Sequence, residues 1–466
     1  MTIGKVYHAT RGQPSSANVS TSEPGTGATP PPACDVIVIG GGPAGCTAAT
    51  FLARRGWSVT LLEKDRYPRF HIGESLLPMN LPIMQRLGVL DEVAAIGTLK
   101  HGADFPAPTP EGYHVFRFER ALDPTWPNSY QVRRDEFDSV LLRNAAASGV
   151  KAFQGQKVTT FAVTGDTVTV EGRSEGGTPF SCSARYLVDA TGRDTLVGTQ
   201  LRLKLKSRRH QSAALFAHFR GVERRPGNDQ GNISIYRFEH GWVWLIPLQG
   251  GVTSVGAVCW PDYLKQRKGD RQEFLLQTLR SIPELRQRLE HAEIVGNLHA
   301  TGNYSYACRR ISGRRWVMAG DSYAFVDPIF SSGVYLAMHG AEVAADVVDG
   351  ALREPRHERA LQRGYQRQFE RGLRTLSWFI YRFTSPAMRK LFANPRNDWQ
   401  LEQAMISMLA GDVFRDNGVH WRLRVFKFIY FVTTLSVMKD QVRSFLWRRR
   451  QARVAFAGGT TAQDAE

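Results

Sequence analysis

The run DVIVIGGGPAG, residues 35–45, constrains the fold more than any other stretch of the chain. Val36 to Ile39 are uninterrupted apolar residues, the pattern of a strand buried on both faces. The run ends in Gly40-x-Gly42-x-x-Gly45. PAGCTAATFLARRG then reads as a helix rich in small residues with a glycine at its C-terminal end, and WSVTLLEK as the next strand. Strand, crossover helix and strand make a βαβ unit, so a parallel sheet is expected. Gly40 permits the tight turn, Gly42 lets a pyrophosphate approach the backbone, and Gly45 allows close packing of helix on strand. The anion then rests on the helix N-terminus. Glu63 ends the second strand, 18 residues after Gly45, where a carboxylate accepts hydrogen bonds from both ribose hydroxyls. An acid at that point favours FAD or NAD over NADP.

The rest of the chain alternates between two characters. RRDEFDSVLLRNAAASGV reads as an amphipathic helix, KVTTFAVTGDTVTVEG as a hairpin over a Gly-Asp turn, and RYLVDATG and RWVMAGD as buried strands. GVYLAMHGAEVAADVVDGAL is a second small-residue helix, and from about 355 the pattern is helical and basic. Between these segments lies strand-rich material of antiparallel character. The expected fold is α/β (α+β). A dinucleotide-binding domain discontinuous in sequence (34–100, 130–198 and 296–350) carries an inserted antiparallel-sheet substrate domain (101–129 and 199–295). A leader at 1–33 precedes them, disordered by its Ser, Thr, Pro and Gly content, and a basic helical region at 351–466 follows.

Five scattered cysteines with no CxxC pair point to reduced thiols in the cytoplasm, and away from a disulfide framework or a metal site. The leader has no apolar core of a signal peptide. The longest apolar stretch, FIYFVTTLSVM at 428–438, is too short to span a bilayer, which takes about 20 residues. The net charge of +17 attracts acidic partners in general. No helix-turn-helix, zinc-finger or RNA-recognition signature accompanies it, so no nucleic acid is expected.

Two further segments fit a flavin. VDATG, ending in Gly192, gives a second strand and turn. MAGDSYAFVDP offers Asp321, either to ribitol hydroxyls or as a helix cap, with a helix N-terminus near Gly333 facing the flavin pyrimidine edge. In GWVWLIPL, Trp242, Trp244 and Ile246 share one face of a strand. They either fill a core or wall off something bulky and flat.

With Trp242-x-Trp244-x-Ile246-Pro247, Phe325-x-x-Pro328-x-x-Ser331-x-Gly333, GGGPAG and HIGESLLP, the chain resembles the flavin-dependent halogenases. The resemblance runs over roughly residues 34–350 and lies closer to the branch acting on phenols and pyrroles than to the tryptophan halogenases. It implies a p-hydroxybenzoate-hydroxylase-type FAD fold. The flavin would be reduced by a separate reductase, since only one nucleotide fingerprint is present. O2 and the reduced flavin would oxidise a halide ion to hypohalous acid. The resemblance puts the halide by the backbone N–H groups of Ser332 and Gly333. It puts the catalytic lysine at Lys100, in TLKHGADF. The tryptophan pair, with Ile246, Pro247, Phe325, Pro328 and Ser331, would then separate flavin from substrate and block direct oxygen transfer. Glu74 and Ser75 would contact the flavin. Arg133, at a helix start, reaches either the FAD phosphates or a nearby carboxylate.

One departure matters. Tryptophan halogenases carry a glutamate where this chain has Phe330, so activation by a carboxylate there is absent. An electron-rich phenol or pyrrole needs less activation. Some members of the resembling branch act on substrates tethered to acyl carrier proteins, which are acidic. The basic tail, WRLRVFKFIYF and then WRRRQAR, would cover the active site, lie on a membrane surface or dock such a protein. A monooxygenase or reductase on the same fold is the alternative activity.

Overall fold

The computed structural model describes residues 30–438, apart from 108–111, 207–210, 268, 303–304, 394–397 and 416, together with Val442, Leu446 and Trp447. The leader up to residue 29 and the basic run from 448 lie outside the described residues.

The first strand, Ala33–Ile39, runs parallel between Pro179–Asp189 and Val59–Leu62. Trp316–Met318 and Lys151–Phe153 extend this sheet on either side, again in parallel. Val36, Ile37 and Val38 have no exposed surface, as the apolar run requires. Helices Pro43–Arg54, Arg134–Ala147 and Ser332–Arg353 pack together against the sheet. The predicted hairpin forms from Gln156–Thr164 and Thr167–Ser174 and turns at Gly165, whose φ is +58°.

A second sheet of seven strands has the order Glu293–Gly302, Ala213–Arg220, Val252–Cys259, Gly241–Pro247, Ile233–Phe238, Gly102–Pro106, Tyr113–Arg117. All its pairings are antiparallel except Ile233–Phe238 against Gly102–Pro106. The expected boundary at 296 falls inside Glu293–Gly302. That strand hydrogen-bonds along Ala213–Arg220 and belongs wholly to this sheet. A short ribbon, Thr98–Lys100 against Ser129–Gln131, lies outside both sheets.

The strand period divides Gly241–Pro247 as its sequence predicts. Trp242, Trp244 and Ile246 join the apolar core that the sheets share with the C-terminal helices. Val243 and Leu245 join a separate core with Phe274 and Leu275 of helix Arg271–Arg280. Helices Glu358–Ile380, Pro386–Ala393, Leu401–Leu409 and Val419–Ser436 complete the fold. Among the described residues no helix is long and apolar enough to cross a membrane.

Candidate active site

Four of the five parallel strands end side by side, at Ile39, Leu62, Asp189 and Met318. The residues that follow them (Gly40, Glu63, Ala190 and Ala319) border one cavity of about 940 Å³. This is where an open α/β sheet presents its ligand site, beyond the carboxyl ends of the strands. Gly40 has φ +103°, and a Cβ on it would fall 2.3 Å from the Ala190 carbonyl oxygen. A Cβ on Gly45 would fall 1.8 Å from the Gly40 oxygen. These two glycines serve chain packing, and Gly45 does not border the cavity. Gly42 does border it, and a Cβ there would meet only the Arg69 guanidinium, 3.7 Å away. Bare backbone therefore faces the cavity at the start of helix Pro43–Arg54, which has no side-chain cap. Its free N–H groups and dipole suit a pyrophosphate.

The polar groups fit the rest of a flavin dinucleotide. Glu63 is buried beside the glycine turn; its carboxylate accepts hydrogen bonds from the backbone N–H groups of Gly41 and Asp65, at 2.5 and 2.8 Å. Glu63 borders the cavity and keeps further acceptor capacity, as ribose recognition needs. Asp321 and Gly192 border the cavity as well. Burial raises the Asp321 carboxyl to about 6, and Arg193 and Arg134 oppose the rise. Helix Ser332–Arg353 is the second helix that opens on this cavity without a side-chain cap. Its N-cap, Ser331, has φ +56°, and a Cβ on Gly333 would meet nothing within 4 Å. Gly333 and Ser331 border the cavity, while Ser332 is buried just behind them.

Trp242, Trp244 and Ile246 form one wall of the cavity, with Phe325 and Pro328 nearby. The two indoles lie 5.7 Å apart at 48°. Trp244 donates its N–H to Ser254 Oγ at 3.2 Å. Its six-membered ring sits over Gly256, its register partner in the next strand; a Cβ there would come within 2.2 Å of the ring. The Asp327 carboxyl accepts the Ile329 backbone N–H at 3.2 Å, and burial pushes it up to about 7. Pro247, the last residue of the strand, does not border the cavity. Phe330 is buried, with its ring 5.4 Å from that of Phe383. The carboxyl nearest to it in sequence is Asp327, which is engaged by the Ile329 N–H.

Lys100 is 1% exposed. Its ammonium donates to Ser75 Oγ at 2.9 Å and to the Leu76 carbonyl at 3.0 Å, and lies 5.3 Å from the Phe118 ring. Lys100 does not border the cavity; Ser75 does. Burial lowers the lysine to about 7, and the buried carboxylate of Asp104 opposes that drop. Glu74 borders the cavity too. One of its oxygens is 2.7 Å from His218 Nε2, and the other is buried with no partner among the described residues.

Arg133 stands outside this constellation. Its guanidinium pairs with Asp135 at 2.9 Å and Glu136 at 3.5 Å, and it does not border the cavity. The next residue does. Arg134 is buried, borders the cavity, pairs with both oxygens of Asp138 at 2.7 and 2.9 Å, and donates to the Ile72 carbonyl at 2.7 Å. Arg69 approaches the same Asp138 at 3.6 Å and Glu63 at 3.9 Å. Helical phase holds the signal for Arg134: it lies one turn before Asp138, on the face with Leu141 and Ala145, whereas Arg133 lies off it. Arg69 and Asp327 carry no comparable signal. Among the described residues no cluster of side chains could hold a metal ion.

A glycine-lined anion cradle, a ribose carboxylate and a second free helix end at one cavity define an FAD-dependent flavoprotein. The FAD binding domain family matches residues 33–368. The chain is 34% identical over 351 residues to a tryptophan 2-halogenase of Chondromyces crocatus, covering 73% of this chain and 66% of the relative. It is 27% identical over 405 residues to the 1H-pyrrole-2-carbonyl-[peptidyl-carrier protein] chlorinase of Pseudomonas fluorescens, covering 82% and 89%. The solved myxobacterial chondrochloren halogenase superposes with a TM-score of 0.70 at 29% identity, covering 84% of this chain and 99% of that one. The chain belongs to the flavin-dependent halogenases. It spans about two thirds of the length of the tryptophan 2-halogenase.

Proposed function

We propose that the protein chlorinates or brominates an electron-rich aromatic ring, phenolic or pyrrolic, with Lys100 directing the oxidant. Bound FAD, reduced by a separate flavin reductase, supplies the O2-dependent oxidation of halide to hypohalous acid. The N–H groups of Ser332 and Gly333 hold the halide, since an uncapped helix end binds an anion without a cationic side chain. Trp242, Trp244, Ile246 and Phe325 keep the ring away from the flavin. A small neutral oxidant passes Ser75 to the Lys100 ammonium, which hydrogen-bonds to it and aims it at a ring carbon.

The observation that carries this reading is the position of Lys100: buried, low in proton affinity, and joined to the cofactor cavity only through the Ser75 hydroxyl. A monooxygenase working directly at the flavin has no use for a buried lysine one side chain away. Phenylalanine at 330, with no carboxylate at that position, favours a ring that needs no base. Two relatives fit that demand: one chlorinates a carrier-bound pyrrole, and the other acts at position 2 of tryptophan, on the pyrrole ring of its indole. Tethering to an acidic carrier protein suits the +17 charge. Residues 34–100, 130–198 and 303–350 are assigned to FAD, and 101–129 and 199–302 to the substrate domain. Five scattered cysteines without a disulfide support a cytoplasmic setting.

The test is direct. The purified protein is incubated with FAD, a flavin reductase, NADH, O2, bromide and a panel of free and carrier-bound phenols and pyrroles. Mass spectrometry then reads the product. Replacement of a ring hydrogen by bromine supports the proposal; a gain of oxygen without halogen overturns it in favour of a monooxygenase.

A further inference from the structure

Helix Val419–Ser436 has two apolar faces, and the described residues cover only one. Val419, Leu423 and Tyr430 are buried; the Phe426 ring lies 5.5 Å from Phe379, and the Tyr430 hydroxyl donates to Ser385 Oγ at 3.2 Å. The opposite side carries Trp421, Phe428, Phe431, Val432 and Leu435, from 43% to 70% exposed, and Met438 continues the line at 58%. These recur at three- and four-residue steps, so they form one stripe along the helix. Trp399, 69% exposed, adjoins its start: Arg422 donates to the Trp399 carbonyl at 3.1 Å and packs over the Trp421 ring. A stripe of this size on a protein surface marks a contact site.

We infer that this stripe docks the protein on an anionic lipid surface. The helix and its continuation to Met438 contain no acidic residue, while the exposed Arg424 interrupts the stripe and Arg422 flanks it. Aromatic and aliphatic side chains on one face with cations beside them are the make-up of a helix that lies in the headgroup plane. The +17 balance of the whole chain adds long-range attraction to acidic lipids. A second copy of the same helix is a poor occupant, because it would set Arg422 and Arg424 of each copy against those of the other. The inference is independent of the chemistry proposed for the active site.

The test uses the full-length protein and co-sedimentation with phosphatidylcholine vesicles, with and without phosphatidylserine. Binding is expected only to the serine-lipid vesicles and is expected to weaken as salt rises. A Phe428→Glu, Leu435→Glu variant should lose that binding at least about tenfold while keeping the parent melting temperature and FAD affinity. An Arg422→Gln, Arg424→Gln variant, which keeps the apolar stripe, should lose the lipid selectivity. Failure of the parent to bind either vesicle overturns the inference. Equal binding of parent and Phe428→Glu, Leu435→Glu variant does so too. A lipid-free dimer that the same variant splits, with no vesicle binding, assigns the stripe to a second copy instead.

Discussion

The Lys100 ammonium and the Ser75 hydroxyl are 2.9 Å apart, and of the two only Ser75 touches the cofactor cavity. The serine is therefore both the partition between flavin and lysine and the group that fixes the lysine's direction. Lys100→Ala should bind FAD with unchanged affinity and lose halogenation by about a hundredfold or more, the scale on which a positioned proton donor acts. Ser75→Ala removes one of two hydrogen bonds to a charged group, each worth about 1.5–3 kcal/mol, so turnover should fall about tenfold or more. Fluorescence titration with FAD and product mass spectrometry, done on both variants, separate binding from chemistry. Halogenation by Lys100→Ala at the parent rate would move the catalytic lysine elsewhere.

The burial of Lys100 has a thermodynamic signature in the protein without cofactor. Its ordinary value is 10.5, and in the fold it lies near 7. Between those two values the unfolded chain holds a proton that the folded chain has released. Stability gained by this group therefore rises with pH from about 7 to 10.5. The cost of burying the ammonium is present in full below that window. Lys100→Met should abolish the slope, and below pH 7 it should be more stable than the parent, by about 4–5 kcal/mol at most. Denaturant unfolding across pH 6 to 10 reads both features. A parent stability that is flat over the window would mean that the ammonium stays charged throughout.

Arg133 and Arg134 are neighbours with opposite expected roles. Arg134 holds Asp138 and the Ile72 carbonyl at the rim of the cavity, whereas Arg133 pairs on the helix exterior. Arg133→Ala should leave FAD affinity within about twofold, as a surface pair contributes little. Arg134→Met should weaken it at least tenfold and should also lower the melting temperature, since Asp138 is left buried with only the 3.6 Å approach of Arg69. Isothermal titration with FAD on the two variants distinguishes them.

What could be read in the sequence follows physical range. The βαβ start, the Gly165 turn and the two-faced strand at 241–247 are local patterns, and each forms where its spacing predicts. Glu63 and Gly42 are bound to the fold by a motif of fixed offsets, so their place at the cavity follows from the strand they end. Arg69, Asp327 and the Glu74–His218 pair are brought together by long-range contacts, 144 residues apart in the last case, and no periodicity marks them. The expected boundary at 296 cuts a strand, Glu293–Gly302, whose sequence suits either domain and whose hydrogen bonds run along Ala213–Arg220.

The tryptophan wall can be disturbed without touching either indole. Gly256 is paired in register with Trp244 and carries the indole where any side chain would stand: a Cβ falls 2.2 Å from the ring and 2.6 Å from Phe216 Cβ. Backbone on one side and a packed core on the other leave no room for the methyl. Gly256→Ala must therefore drive Trp244 toward the cavity. The variant should lose about 1–3 kcal/mol of stability from overpacking and bind FAD more weakly, because the wall moves into the cofactor's space. Trp242→Ala acts in the opposite sense. It enlarges the cavity, so FAD should still bind while more of the consumed NADH appears as hydrogen peroxide or hydroxylated product. Stopped-flow binding and a peroxide assay on the pair give opposite displacements from the parent. If both variants instead matched the parent in FAD affinity and peroxide yield, the indoles would be core filling and the separation of flavin from substrate would rest on Phe325 and Ile246.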